Sequence, residues 1–155
     1  MSLAHPALPP LLKENPRLDQ WARFETPGRV VVSTGRVEIG QGVLTAMLQI
    51  AAEELDVSPD RIDLRTGDTA LTPNEGYTSG SQSMQFGGIA MRLACAEIRG
   101  LFLAAAASHL NCAATDLSMM DGAVCRDGKT TGQDQHDQST DAGGARRGPR
   151  WRYEK

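Results

Sequence analysis

The stretch that decides the fold runs Val30-Val31-Val32-Ser33-Thr34-Gly35-Arg36-Val37-Glu38-Ile39-Gly40-Gln41-Gly42 and continues without a break into Val43-Leu44-Thr45-Ala46-Met47-Leu48-Gln49-Ile50-Ala51-Ala52-Glu53-Glu54-Leu55. Val30 to Thr34 is β-branched and short, the composition of a strand. Val37 and Ile39 alternate around Glu38, so the strand is expected to resume after Gly35. Beyond Gly42 the period changes. Leu44, Leu48, Ala51 and Leu55 recur at helical spacing, with Val43, Met47 and Ile50 widening the stripe, which predicts an amphipathic helix. Asp56 to Pro59 stops it. Arg61-Ile62-Asp63-Leu64-Arg65-Thr66 alternates apolar and polar residues, as a half-buried strand does. Strand, helix and strand in this order predict a crossover unit within an α/β (α+β) fold.

Upstream, Thr26-Pro27-Gly28-Arg29 is a turn signal, with Pro and Gly at its centre. It follows a short strand expected near Trp21 to Phe24. Residues 1–20 carry Pro6, Pro9, Pro10 and Pro16, a spacing expected to exclude a regular helix and to give an extended arm that packs on something else. Downstream, Gly67 to Gly80 is a long polar loop, and loops of that length in small domains are often functional. A second helix is expected to begin near Ser81 or Ser83, either of which would cap it. Ile89, Leu93, Ala96 and Gly100 mark one face, and Ala90, Cys95, Ile98, Phe102 and Ala104–Ala107 widen it. The helix is apolar nearly all round, so burial in a larger assembly is expected. Asn111 ends it. Asp116 to Val124 reads as a turn and a strand about Asp121-Gly122. From Asp127 to Lys155 only Ala142, Ala145, Trp151 and Tyr153 are apolar, and no period runs through them. Such composition predicts disorder. The basic end, Arg146 to Lys155, would also suit nucleic acid or a membrane surface, but a disordered or aberrant terminus is the simpler reading.

With 155 residues the chain has the size of one domain, and 40% hydrophobic with 23% charged residues is ordinary for a soluble one. A net charge of −3 argues against a nucleic-acid partner held by bulk positive charge. The longest apolar stretch, Leu101 to Ala107, falls far short of the ~20 residues of a membrane span. Cys95, Cys112 and Cys125 show no C-x-x-C pairing and read as reduced thiols, and His5, His109 and His136 are scattered, so no metal site is expected from this chain. No signal peptide is visible at the N-terminus, which leaves the cytoplasm as the default compartment and the periplasm open.

Two loop-to-helix junctions carry the chemistry. In Gly40-Gln41-Gly42-Val43-Leu44-Thr45 a glycine turn feeds a helix whose first amides lack partners and attract an anion or an acceptor-rich ligand. Gln41 offers both a donor and an acceptor. In Gly76-Tyr77-Thr78-Ser79-Gly80-Ser81-Gln82-Ser83, hydroxyl residues surround a glycine before the second helix, a cradle for a phosphate or pterin-like group. Each junction would serve equally as a tight turn or a capped helix start. The two are expected to converge, since both helices begin where strands or loops end, the edge of a sheet at which ligands sit in α/β units. Glu38 is a weak candidate base and reads as readily as a solvated or paired carboxylate. Asp68 and Glu75 read as ordinary loop charge, and His109 as a partner for the end of the second helix.

The run Gly35, Glu38, Ile39, Gly40, Gln41, Gly42, Thr45 resembles the first cofactor segment of the xanthine dehydrogenase and aldehyde oxidase family, whose pattern is Gly-x-x-Glu-(Met/Ile)-Gly-Gln-Gly-x-x-Thr. Gly67-Asp68-Thr69-Ala70 with Tyr77 to Ser83 resembles that family's second cofactor loop. Asn15 to Trp21 is similar to the large subunit of the isoquinoline 1-oxidoreductase and nicotinate dehydrogenase branch. The resemblance implies a strand-helix-strand unit with a long buried helix, part of a larger cofactor-binding domain. It implies a Pro-rich arm (1–20), a partial molybdopterin-binding domain (21–126) and a tail outside the family pattern (127–155), as if the end were truncated or frame-disrupted. It further implies molybdenum-molybdopterin, in some relatives as the cytosine dinucleotide, contacted by Gly40, Gln41, Gly42, Thr45, Thr78, Ser79, Gly80, Ser81 and Ser83. Iron–sulfur clusters would sit only in a small 2Fe–2S partner subunit. The reaction implied is oxidation of an aldehyde or N-heterocycle with water as the oxygen source. The family's glutamate base lies in a Gly-x-Gly-Glu motif that does not occur here, so this chain, an N-terminal piece of the large subunit, is expected to be inactive without the remainder. The alternative is a non-catalytic small α/β domain acting in oligomer or subunit assembly.

Overall fold

The computed structural model describes residues 8–26 and 28–131. Strands β1 (Ala22–Thr26) and β2 (Arg29–Thr34) form an antiparallel hairpin across the expected turn at Gly28. Helix α2 (Val43–Leu55) then crosses over and returns as β3 (Ile62–Thr66), which pairs parallel to β2 with Val30 opposite Ile62 and Thr34 opposite Thr66. The sheet order is β1-β2-β3. The strand-helix-strand unit is therefore as the sequence predicts, within an α+β fold. Strand β2 stops at Thr34, however. Val37 to Ile39 are exposed loop residues, because at Gly35 the chain turns inward against Pro73 and Glu75 instead of continuing along the sheet.

The N-terminal proline segment contains a short helix, α1 (Pro10–Glu14), contrary to the expected arm without regular structure. Pro10 sits in the first turn, where its missing N–H costs nothing, and Pro16 follows the end. The segment packs on its own domain. Leu11, Leu12 and Trp21 are buried, the Trp21 indole donates to the Asn15 carbonyl at 3.0 Å, and Asn15 exchanges hydrogen bonds with the Asn74 backbone.

A six-residue π-helix (Ser83–Gly88) leads into α3 (Ile89–Leu110), which packs on α2. Its buried face is Ala90, Met91, Ala94, Cys95 and Ile98, and Arg92 pairs with Glu54 (2.6 Å) and Glu53 (3.4 Å) of α2. Of the face that the sequence marks, Ile89, Leu93 and Gly100 are exposed, and the side packed on α2 is the one that Ala90, Cys95 and Ile98 widen. Asn111 closes the helix in the left-handed conformation (φ 49°). Strands β4 (Leu117–Met120), β5 (Ala123–Arg126) and β6 (Lys129–Thr130) form a second antiparallel sheet. Asp121-Gly122 and Asp127-Gly128 both have positive φ at the two turn positions, the geometry of tight hairpins with right-handed twist. Regular structure thus continues past Asp127, where the composition predicts that it ends. The basic stretch 146–155 lies outside the described residues. Among the described residues no helix is long and apolar enough to cross a membrane, and no cluster of His, Cys, Asp or Glu is arranged to hold a metal ion.

Candidate functional site

Because β2 and β3 are parallel neighbours, the loop after each leaves the same edge of the sheet. Loop 35–42 follows β2 and loop 67–82 follows β3. They are cross-linked at several points. The Val37 N–H donates to Thr78 Oγ1 at 3.1 Å, the Arg36 guanidinium donates to the Tyr77 carbonyl at 2.5 Å, and Thr66 Oγ1 donates to the Arg36 carbonyl. The two junctions do meet at one edge.

Gly40 (φ 94°) and Gly42 (φ 74°) take backbone conformations that disfavour any Cβ, and the space where a Cβ would stand is open at both. Gly42 is the N-cap of α2 but supplies no side chain. That role falls to Glu38, whose carboxylate accepts from the backbone N–H of Gly40 (2.9 Å), Gly42 (2.8 Å) and Leu44 (3.2 Å). The Gly42 bond, followed by that of Leu44, holds the Glu38 carboxyl below its ordinary pKa. This differs from the expectation for the junction. Two of the amides expected to attract a ligand anion, those of Gly42 and Leu44, are already met by the chain's own anion, placed where the helix dipole favours it. Glu38 is a cap, with its oxygens engaged, rather than a free base.

Gln41 is fixed from both ends. Its Oε1 accepts from the Ile39 N–H at 2.6 Å and its Nε2 donates to the Val37 carbonyl at 3.0 Å. One Nε2 hydrogen and one Oε1 lone pair remain, held side by side on an exposed loop. Thr45 is exposed on the first turn of α2.

On the facing loop, Thr78 is engaged by Val37, whereas the hydroxyls of Ser79, Ser81 and Ser83 and the amides of Gly80 and Ser81 have no hydrogen-bond partner among the described residues. Gly80 (φ 61°) and Ser81 (φ 59°) are both left-handed. Ser81 and Ser83 do not cap the following helix as expected. Its N-cap is Gln82 with no side-chain bond, and a left-handed Ser81 lacks the extended backbone that capping needs. Asp68 caps its own turn through the Ala70 and Leu71 amides. His109 lies in the last turn of α3, and Asn111 closes that end.

Sequence reasoning missed the pair beneath the loops. Glu75, read as loop charge, is buried against Arg36. The segment's high polarity gave no sign that one of its carboxylates faces inward. A groove of about 520 Å³ lined by Leu18, Phe24, Ile98, Leu101 and Phe102 shares no residue with either loop. Residues 37–42 and 79–82 are exposed, so the site is an open sheet edge.

Residues 7–147 match the molybdopterin cofactor-binding domain family. The chain belongs to that family. It is 36% identical over 115 residues to a nicotinate dehydrogenase subunit of Pseudomonas putida, covering 74% of this chain and 10% of that protein. It is 40% identical over 70 residues to aldehyde oxidase 3 of Rattus norvegicus, covering 45% of this chain and 5% of that protein. Among solved structures it resembles the Cu,Mo-CO dehydrogenase in its carbon monoxide reduced state, with a TM-score of 0.61 and 29% identity over 70% of this chain and 14% of that one. The chain therefore spans about a tenth of the length of such relatives. The loop edge fits a molybdopterin on its own chemistry. Gln41 leaves a fixed donor–acceptor pair for a heterocycle edge, and the amides of Gly80 and Ser81 with the hydroxyls of Ser79, Ser81 and Ser83 suit a phosphate.

Proposed function

We propose that the chain is a piece of a molybdenum hydroxylase large subunit that holds part of the molybdopterin cofactor. The observation that carries this reading is the convergence of the Gly40-Gln41-Gly42 and Thr78–Ser83 loops at the C-terminal edge of two parallel strands. Gln41 would hydrogen-bond the pterin edge through its remaining N–H and lone pair. Gly40 and Gly42 would let the group approach the backbone, with Thr45 on the adjacent helix turn. Thr78 would fix the second loop, while Gly80, Ser79, Ser81 and Ser83 would donate to the phosphate. Glu38 keeps α2 capped and so directs the phosphate to the second loop rather than to the helix end.

When bound, the group supplies two-electron redox chemistry at molybdenum for oxidation of an aldehyde or N-heterocycle with water as the oxygen source. The contribution of this chain is binding and orientation. A general base, the substrate pocket and a small 2Fe–2S partner subunit would come from outside it, and the cytosine dinucleotide form of the cofactor belongs to the same proposal. The test is to produce the chain in a host that makes molybdopterin and to measure pterin and molybdenum per chain. Near-stoichiometric pterin supports the reading. A well-folded, pterin-free chain that assembles into oligomers would instead favour a role in subunit assembly.

A further inference from the structure

An ion taken out of water is costly unless it is paired and its remaining donors or acceptors are met, and well-packed apolar residues usually fill such a site at lower cost. The Arg36 and Glu75 side chains are 1% and 0% exposed. Glu75 Oε2 accepts from Thr34 Oγ1 at 2.5 Å and from the Gly35 N–H at 2.7 Å, while Oε1 faces Arg36 Nε at 3.4 Å. Arg36 reaches on to the Tyr77 carbonyl. The end of β2 and the first loop therefore contribute Thr34, Gly35 and Arg36, and the second loop contributes Glu75 and Tyr77. A third segment closes over them: a Cβ on Gly87, in the π-helix, would stand 2.5 Å from Glu75 Oε1 and 3.3 Å from Arg36 Nε. Single π turns inside helices recur at functional sites. An apolar filling would bury the same volume without direction. Arg36 Nε and Glu75 Oε1 face each other without a hydrogen bond, and the spacing of the two loops is set by the directed bonds from Thr34 and Gly35 to Glu75 and from Arg36 to the Tyr77 carbonyl.

We propose that Arg36 and Glu75 are positioning residues that set the distance between the Gln41 loop and the Thr78–Ser83 loop, and thereby the retention of molybdopterin, without touching it. This rests on the cofactor reading above. It goes beyond it in assigning the site's geometry to a buried charge pair on the side of the loops away from the ligand.

The experiment uses the full chain made in a molybdopterin-producing host, with Glu75→Gln and the double variant Arg36→Met/Glu75→Gln. Three quantities are measured: thermal stability, pterin retained through gel filtration, and backbone amide exchange in the cofactor-free chain. Glu75→Gln is expected to speed exchange in 35–42 and 76–83 together, leave Val30–Val32 protected, and release pterin roughly tenfold faster or more, the scale seen when a residue supporting a ligand-binding group is removed. The double variant removes the uncompensated charge and should recover thermal stability but not pterin retention. A purely structural pair would recover both together, and that result overturns the proposal, as does unchanged exchange in the two loops. Should Glu75→Gln not fold, Arg36→Lys, which keeps the charge but loses the planar guanidinium, is read in the same way. If the wild-type chain carries no pterin, the cofactor reading fails. The exchange data then separately decide whether the pair couples the loops.

Discussion

Gly35 gives the most direct test of how closely the two loops are packed. A Cβ built at this residue would lie 2.5 Å from the Pro73 carbonyl oxygen, 3.3 Å from the Glu75 nitrogen and 3.4 Å from the Glu75 Cβ. A carbon–oxygen contact relaxes only beyond about 3.3 Å, the lower edge of weak C–H···O contacts, so Gly35→Ala must move one loop by roughly 0.8 Å. Neither loop is free to move. Gly35 donates to Glu75 (2.7 Å), Glu75 also holds Thr34, and the preceding Asn74 is bonded to Asn15 (2.8 Å). Overpacking of this kind costs about 1–3 kcal/mol, and losing a hydrogen bond to the buried carboxylate adds about 1–3 kcal/mol, so a total near 3 kcal/mol is expected. With a urea m-value of about 1–3 kcal/mol/M, the denaturation midpoint should fall by about 1 M or more. Gly100→Ala is the internal control. Gly100 lies within α3, is exposed and has nothing within 4 Å of its built Cβ. It should gain about 0.5–1 kcal/mol, because glycine in a helix costs conformational entropy. Urea curves of the three proteins decide the matter. If Gly35→Ala unfolds within about 0.5 kcal/mol of the parent, the spread of an ordinary surface substitution, the account of tightly locked loops is wrong.

Three further outcomes are expected. Glu38 has a folded pKa below its ordinary 4.5, so its cap is fully present above that value and is lost as pH falls through the folded pKa. Melting temperature followed from about pH 7 to about pH 2.5 should therefore drop less steeply for Glu38→Gln than for the parent, and parallel profiles would show that the cap carries no linkage. Gln41→Ala removes two exposed loop bonds, which together stabilise by only about 1 kcal/mol, so thermal stability should fall by a few degrees at most while pterin is lost. A large drop in melting temperature would make Gln41 structural. Burial pushes the Cys95 thiol up to about 12, so it should stay unmodified by iodoacetamide at about pH 8 in the folded chain. Peptide mapping that finds Cys95 alkylated as fast as the half-buried Cys112 would contradict its placement in the core.

What could be read from the sequence was what is local and periodic. The change from strand alternation to helical spacing at Gly42 located β2, α2 and β3, and an Asp-Gly pair located a hairpin. The phase of α3 could not be read in this way. With small or apolar residues on nearly every side, the face marked by Ile89, Leu93, Ala96 and Gly100 did not single out the packed one, and the inner face was decided by contact with α2 through Ala90, Met91, Ala94 and Cys95. Two features of the site escaped for a different reason. The Glu38 cap needs the particular curl of a glycine turn, which residue types alone do not specify. The Arg36–Glu75 pair joins residues from separate loops, and neither sits in a pattern that marks it as buried. By contrast, the meeting of the two loop-to-helix junctions was legible because each follows a strand of one crossover unit, where backbone geometry and residue type coincide.

The crossover helix is what makes a two-loop site possible at all. Adjacent strands lie about 4.8 Å apart, so two parallel neighbours deliver the chain to one edge at nearly the same point. Had β3 run antiparallel to β2, its exit would lie at the opposite end of a five-residue strand, about 17 Å away at roughly 3.3 Å per residue. No side chain bridges that gap. Parallel pairing in turn requires a long connection, and α2 provides it while burying Val43, Met47, Ala51 and Leu55 against the sheet and α3. The same helix begins at the site, so its first turn needs an anion. Because Glu38 supplies that anion from within the loop, α2 holds the Gln41 turn rigid without drawing on the ligand. Under the proposed function, a division of labour between a heterocycle-facing first loop and a phosphate-facing second loop would follow from where the chain's own carboxylate is placed.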